Sequence, residues 1–237
     1  MKKSIFVMLV FLLIGPFVNA QNERPEGING GRTRDILPVL PSHDKTNDQP
    51  AYLPTVVTQT ITLSAGWNWF STYIEMDPVD LLNAMETSLG ENGLEIKYKN
   101  TVTAWDADDE DWSGGLQNIG LSNGSTYMVR TSAACTVTLE GPVANPADYQ
   151  ITLNPKAWTW IGFPCGVEVD TNVALAGFEA MDGDQIKSRS RASAWDSDEE
   201  EWSGGVTKLV PGTGYMFYSN GTEVRTLIFQ TGAKAKR

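Results

Sequence analysis

The sequence predicts a β-rich α+β fold that contains two tandem copies of one small domain, each with one helix and about five or six strands. Short segments recur at a spacing of about 90 residues. All eight tryptophans fall into matching pairs. Each copy also reads as an opening strand, one helix and several short strands. We place the copies at residues 59–147 and 148–237.

Each of these segments in the first copy has a counterpart in the second copy with the same residue types at most of its positions. Chance would not produce so many matches. Duplication of one domain is the economical explanation. The pairs are Ile61-Thr62-Leu63 with Ile151-Thr152-Leu153, Trp67-Asn68-Trp69 with Trp158-Thr159-Trp160, Ala104-Trp105-Asp106 with Ala194-Trp195-Asp196, and Trp112-Ser113-Gly114-Gly115 with Trp202-Ser203-Gly204-Gly205.

In the first copy, an alternating pattern predicts one opening strand over residues 60–73. Helix signals follow, because Asp77 is a good N-cap, Pro78 suits the first helical position and Gly90 supplies a left-handed stop. The apolar stripe of this helix is Leu82, Met85 and Leu89. A matching helix is predicted in the second copy from the cap Asp170 to Gly183.

Short strands are predicted after the helices. In the first copy they cover residues 94–99, 102–106, 126–131 and 134–140. In the second copy, Asn220-Gly221 separates two alternating runs and favours a tight hairpin turn, since both residues tolerate positive φ.

The N-terminus carries export and linker signals. Lys2 and Lys3 precede an apolar run over residues 5–14, which is too short to span a bilayer, and Val18-Asn19-Ala20 forms a small-residue cleavage site. Residues 1–20 therefore read as a signal peptide. Residues 21–58 are rich in proline and glycine, so we expect a linker with little fixed structure.

Composition excludes several classes of function. The formal net charge of −11 disfavours nucleic acid and anionic membranes as partners, and no later segment predicts membrane insertion. The only histidine, His43, lies in the linker. Without another histidine, Ser-His or Cys-His catalysis and a histidine-rich zinc site are excluded. We therefore expect no enzyme.

The opening Leu63-Ser64-Ala65-Gly66-Trp67-Asn68-Trp69-Phe70-Ser71 resembles the "GWNxIS" start of a tandem repeat domain found in bacterial and archaeal secreted and surface proteins. In that family a Trp-Asp strand, a second tryptophan and a "PGxGY" strand follow. The second copy matches the last element with Pro211-Gly212-Thr213-Gly214-Tyr215, from which the first copy departs. The second copy departs instead at the opening, with Asn154-Pro155-Lys156-Ala157. The resemblance implies a secreted, non-catalytic accessory module, and it brings no ligand and no catalytic residue.

Acidic runs lie between the later tryptophans of each copy, at residues 106–111 and 196–201. The Asp-x-Asp spacing offers Ca²⁺ the oxygen ligands it prefers, although the EF-hand pattern is absent. The candidate metal ligands are Asp106, Asp108, Asp196 and Asp198. The alternative is an exposed hairpin tip whose charges protect a sheet edge. No other cofactor is indicated.

The tryptophans divide into two groups. For Trp67, Trp69, Trp158 and Trp160 we favour a place in the core. The other four flank the acidic turns, where paired indoles could either fill the core or stack on a sugar. The candidate ligand-binding residues are Trp105, Trp112, Trp195 and Trp202.

Two cysteines, Cys135 and Cys165, occupy different places in the two copies. In an exported protein they could form a disulfide between the domains or remain two separate thiols.

Two functions fit this sequence. The first is a secreted or surface-exposed interaction module, adhesive or glycan-binding, with a surface protein or glycan as partner. The second is a purely structural subunit or spacer of a cell-envelope assembly or filament. Both place the protein outside the cell or at its surface, with the periplasm as a further option.

Overall fold

The computed structural model describes residues 55–231. These residues form a β-rich fold with one main helix, two five-stranded antiparallel sheets and three two-stranded sheets. The predicted signal peptide (1–20), most of the predicted linker (21–58) and residues 232–237 of the predicted second copy lie outside the described range. We call residues 55–147 the first half and 148–231 the second half.

The first half contains one helix, α1 (Pro78–Leu89), and seven strands. The strands are β1 (Val56–Leu63), β2 (Gly66–Phe70), β3 (Gly93–Tyr98), β4 (Thr101–Asp106), β5 (Asp111–Gly114), β6 (Tyr127–Thr131) and β7 (Cys135–Pro142). The five-stranded sheet has the order β2-β6-β3-β4-β5, and β1 pairs with β7 in a separate ribbon. Helix α1 packs against β7.

The second half has a similar arrangement around a shorter helix, α2 (Thr171–Ala174). Its strands are β8 (Ile151–Leu153), β9 (Ala157–Ile161), β10 (Val169–Asp170), β11 (Gln185–Lys187), β12 (Ala192–Asp196), β13 (Glu201–Gly204), β14 (Lys208–Leu209), β15 (Tyr215–Ser219) and β16 (Arg225–Leu227). Its main sheet has the order β9-β15-β11-β12-β13, which matches the first sheet strand for strand. Strands β8 and β16 form the ribbon, and β10 pairs with β14.

Helix α1 confirms the local signals in the sequence. The Asp77 carboxylate accepts a hydrogen bond from the Val79 N–H at 3.0 Å, Pro78 starts the helix, and Gly90 ends it at a φ of 52°. The predicted apolar stripe, Leu82, Met85 and Leu89, is buried. Each of these side chains contributes roughly 1.5–3 kcal/mol by leaving water.

The predicted opening strand over 60–73 is wrong in its continuity. Strand β1 ends at Leu63 and β2 begins at Gly66, whose φ is 87°. The Asn68 side chain closes this turn, because it accepts from the Ser64 N–H at 3.0 Å and donates to the Ser64 carbonyl at 2.7 Å. Strand β1 also begins at Val56, so residues 56–58 belong to the fold rather than to the linker.

The predicted second helix is wrong in length, since α2 ends at Ala174 and turns follow instead of a helix to Gly183. Gly177 lowers helix stability by about 1 kcal/mol relative to alanine. The predicted hairpin at Asn220-Gly221 is also absent, because β16 pairs with β8 and not with β15. The Asn220 amide instead donates to the Asp182 carbonyl at 2.7 Å.

Each half has its own apolar core. Cys165 is buried in the second core, and Cys135 packs half-buried against the first. Both are free thiols, so of the two arrangements that the sequence left open, the structure has separate thiols and no disulfide. The reason is that each sulfur belongs to the packing of its own half.

Two equivalent backbone hydrogen bonds join the halves, and each half donates one of them. The Ser71 N–H, just after β2, donates to the Gly212 carbonyl at 3.2 Å. The Gly162 N–H, just after β9, donates to the Gly124 carbonyl at 3.0 Å. This reciprocity is the pattern that a two-fold axis produces in symmetric dimers. It fixes the position of one sheet relative to the other.

Candidate functional site

The outer faces of the two main sheets carry the most accessible tryptophans among the described residues. Side chains alternate along a strand, so Trp67 and Trp69 lie opposite the buried Asn68 and Phe70. Trp67 is 41% exposed, and Trp158, at the equivalent place on β9, is 38% exposed. The expectation that both belong to the core is wrong, because strand alternation shows which residues share a face but not which face meets the core.

Each exposed indole lies under a cation. The Arg130 guanidinium carbon is 5.8 Å from the ring centre of Trp67, and the Lys187 ammonium is 4.1 Å from that of Trp158. Arg130 is opposite Trp67 on β6 and also forms an ion pair with Glu95 at 3.4 Å. Cation–π contacts at exposed positions contribute about 0.5–1 kcal/mol and hold the ring in place. Each sheet thus offers a fixed aromatic surface beside positive charge.

The four tryptophans beside the acidic turns point the other way. Trp105 pairs directly with Trp112 across β4 and β5, with ring centres 6.1 Å apart, and Trp195 pairs with Trp202 at 5.7 Å. Trp112 and Trp202 are only 8% and 5% exposed, so they pack in the cores. Of the two alternatives that the sequence left open for these four tryptophans, the structure therefore has the core for Trp112 and Trp202. Trp105 and Trp195 are half-buried.

The first aspartate of each acidic turn, Asp106 or Asp196, accepts a backbone hydrogen bond that closes the turn. Asp106 accepts from the Asp108 N–H at 2.9 Å, and Asp196 accepts from the Asp198 N–H at 3.0 Å. Within residues 55–231, no group of three or more acidic, histidine or cysteine side chains is arranged to hold a metal ion. The structure therefore places the candidate calcium ligands on exposed tips without bringing them together as a cluster.

A cleft of about 470 Å³ beside Trp105 contains a residue that the sequence analysis missed. Glu86 of α1 is buried, and burial raises the pKa of its carboxyl, an effect to which nearby Asp111 adds. Hydrogen bonds from Gln117 at 3.0 and 3.2 Å and from Thr103 at 3.3 Å oppose that rise. The signal was available, since Glu86 lies one helical turn after Leu82, on the apolar stripe.

Comparisons with family models, curated proteins and solved structures gave no significant match. Within the described residues, no helix has both the length and the apolar character needed to cross a membrane.

Proposed function

We propose that this chain is an exported, non-catalytic interaction module that binds a surface glycan or an assembled surface protein through the outer faces of its two main sheets. The observation that carries the proposal is the pair of exposed indoles, Trp67 and Trp158, each held beside a cation. Exposed aromatic residues that are fixed in place supply contact area with little loss of conformational entropy on binding.

The proposal includes duplication of one domain. Its support is that the two main sheets have the same strand order and matching residues on their outer faces. The matching outer-face pairs are Trp67 with Trp158, Trp69 with Trp160, Lys97 with Lys187, and Met128 with Met216. Two equivalent faces at a fixed distance raise avidity for a partner with a repeating structure. A glycan or a surface protein array has such a structure, whereas a small metabolite does not.

The proposed role needs neither catalysis nor a cofactor. In this proposal Glu86 has a structural role, because both of its carboxylate oxygens accept hydrogen bonds from the amide of Gln117. The acidic turns are treated as solvated hairpin tips, where charge discourages edge-to-edge association of sheets. The signal peptide would carry the protein to the cell surface or the medium.

A purely structural spacer is the second candidate. The burial of Trp112 and Trp202 and the reciprocal contacts between the halves favour it, since both features give a rigid body. The two candidates differ at the outer faces. A spacer without a ligand does not require accessible indoles there, whereas an interaction module does.

The test compares binding of the mature protein and its variants to immobilised polysaccharides and to a cell-envelope fraction. We expect the double variant Trp67→Ala, Trp158→Ala to lose about tenfold or more in affinity while it still unfolds in one cooperative transition, at a melting temperature lowered by the loss of the two cation–π contacts. The matched control is Ile119→Ala with Val224→Ala, which removes exposed apolar groups that lie outside the strands of both main sheets. If the wild-type protein binds nothing, the spacer is favoured. If the double variant binds like the wild type, the proposed faces are wrong.

A further inference from the structure

Two grooves lie where the halves meet, and each is lined by residues from both. The first groove, about 360 Å³, lies between β1 and Trp69 of the first half and Arg189, Gly212 and Thr213 of the second. The second groove, about 330 Å³, lies between β8 and Trp160 of the second half and Lys99, Gly124 and Ser125 of the first. Both volumes are at the small end of the range of about 300–1,000 Å³ for ligand pockets.

The two grooves are built from equivalent parts. Trp69 and Trp160 occupy the same position on the edge strands β2 and β9. Lys99 follows β3 and Arg189 follows β11, so both cations lie in the turn to the next strand of the sheet. Each cation lines a groove that also contains residues of the opposite half. Arg189 donates a hydrogen bond to the Trp67 carbonyl.

Lys99 makes its contact through an aromatic ring. Its ammonium is 4.9 Å from the ring centre of Tyr98, and that ring meets Trp160 of the second half edge-on at 6.1 Å. The same combination therefore occurs twice, with one half-buried indole and one cation, beside a glycine loop that carries a hydroxyl.

Charge sets the grooves apart from the rest of the protein. The chain has 29 acidic residues, yet no aspartate or glutamate lines either groove. Neither Lys99 nor Arg189 forms a salt bridge with any residue in the described range. A cation without a carboxylate partner, in a polar groove of an acidic protein, is available for an anion from outside.

We propose that the two grooves are equivalent binding sites for a uronate residue of an acidic glycan. The cation would pair with the sugar carboxylate, the hydroxyl group of Thr213 or Ser125 would bond a sugar hydroxyl, and the indole of Trp69 or Trp160 would lie against the sugar ring. A single cation in each groove suits one carboxylate better than a polyphosphate. This inference rests on the proposed function and specifies its ligand class.

The test is calorimetric titration of the mature protein with short oligomers of galacturonate, glucuronate and mannuronate, each beside its methyl-esterified, neutral form. We expect at least one uronate oligomer to bind at two sites per chain and to lose about tenfold or more in affinity on esterification. Arg189→Gln and Lys99→Gln should each leave one site of unchanged affinity, and the double variant should leave none.

The matched control is Lys156→Gln with Lys208→Gln, which removes the same charge from residues engaged with Asn220 and Glu168 outside the grooves. It should bind like the wild type. Failure of every uronate oligomer, equal binding of the neutral forms, or wild-type binding by the double groove variant would overturn the inference. If envelope binding still depends on Trp67 and Trp158 in any of those cases, the proposed function stands without this ligand.

Discussion

Both terminal guanidinium nitrogens of Arg225 donate hydrogen bonds to the carboxylate of Asp184, at 2.5 and 2.9 Å. The carboxylate is fully buried and also accepts the N–H groups of Met181 and Asn220 at 3.0 and 2.7 Å. The guanidinium lies 4.8 Å from the ring centre of Phe178. This network occupies the region where a second long helix was predicted, and it adds side-chain contacts to the backbone turns that residues 175–184 form there.

Removing the guanidinium of Arg225 should lower the free energy of unfolding strongly. In Arg225→Met the Asp184 carboxylate stays buried without its partner, so we expect a loss of roughly 3–5 kcal/mol in the free energy of unfolding, measured by urea denaturation. Lys208→Met, which breaks the exposed pair with Glu168, is the matched control and should leave the urea midpoint in place. Equal effects of the two substitutions would show that the Asp184 pair is not structural.

The buried carboxyl of Glu86 should make stability depend on pH. Its pKa in the folded protein lies above the ordinary value of 4.5, so the folded state holds the proton more tightly than the unfolded state. The free energy of unfolding should therefore fall as the pH rises from 4.5 through the folded-state pKa. Glu86→Gln should flatten this slope and be at least as stable as the wild type at pH 7. Identical slopes by denaturant titration would refute the assignment.

Two glutamates at the hairpin tips occupy a left-handed backbone conformation. The φ angles of Glu110 and Glu200 are 52° and 53°, which cost a non-glycine residue about 1–2 kcal/mol. Glycine adopts this conformation without strain. Its greater conformational freedom in the unfolded chain, however, lowers the free energy of unfolding by about 0.5–1 kcal/mol. Glu110→Gly and Glu200→Gly should each stabilise the protein by up to about 1 kcal/mol. Glu199→Gly, at a tip position without positive φ, should destabilise it, and the reverse ranking would contradict the geometry.

The contact between the halves should tolerate no side chain at Gly162. A Cβ there would lie 2.2 Å from the Asn123 carbonyl oxygen and 2.6 Å from that of Ser125, both in the opposite half. We expect Gly162→Ala to cost about 1–3 kcal/mol and to lower or split the calorimetric unfolding transition. Gly166→Ala is the control, because its nearest neighbour is Tyr73 at 3.4 Å. An unaffected Gly162→Ala transition would mean that the halves do not depend on this contact.

Local signals account for the parts of the fold that the sequence predicted. Asp77 and Pro78 begin helix α1 and Gly90 ends it, and each of them acts only on the adjacent turn of the helix. The second helix is shorter than predicted, and the carboxylate that follows it, Asp184, pairs with Arg225, which lies 41 residues further along the chain. No local pattern reports such a contact.

The candidate site was harder to predict for a related reason. The spacing of Trp67 and Trp69 shows that they share a face of β2, but the sheet must form before that face is known to be the outer one. The pairing of Trp105 with Trp112 was suggested by the hairpin, yet their inward direction depends on the core beneath them. The grooves required both halves and could not be read from either copy.

Residue-resolved modification of the eight tryptophans by hydroxyl radicals would show whether the outer faces of the two main sheets are the binding surface. We expect Trp67 and Trp158 to react fastest in the native protein, Trp112 and Trp202 to react slowest, and a bound polysaccharide or envelope fraction to protect the first pair. Fast reaction of Trp112 and Trp202, or a bound partner that leaves Trp67 and Trp158 fully reactive, would contradict this expectation.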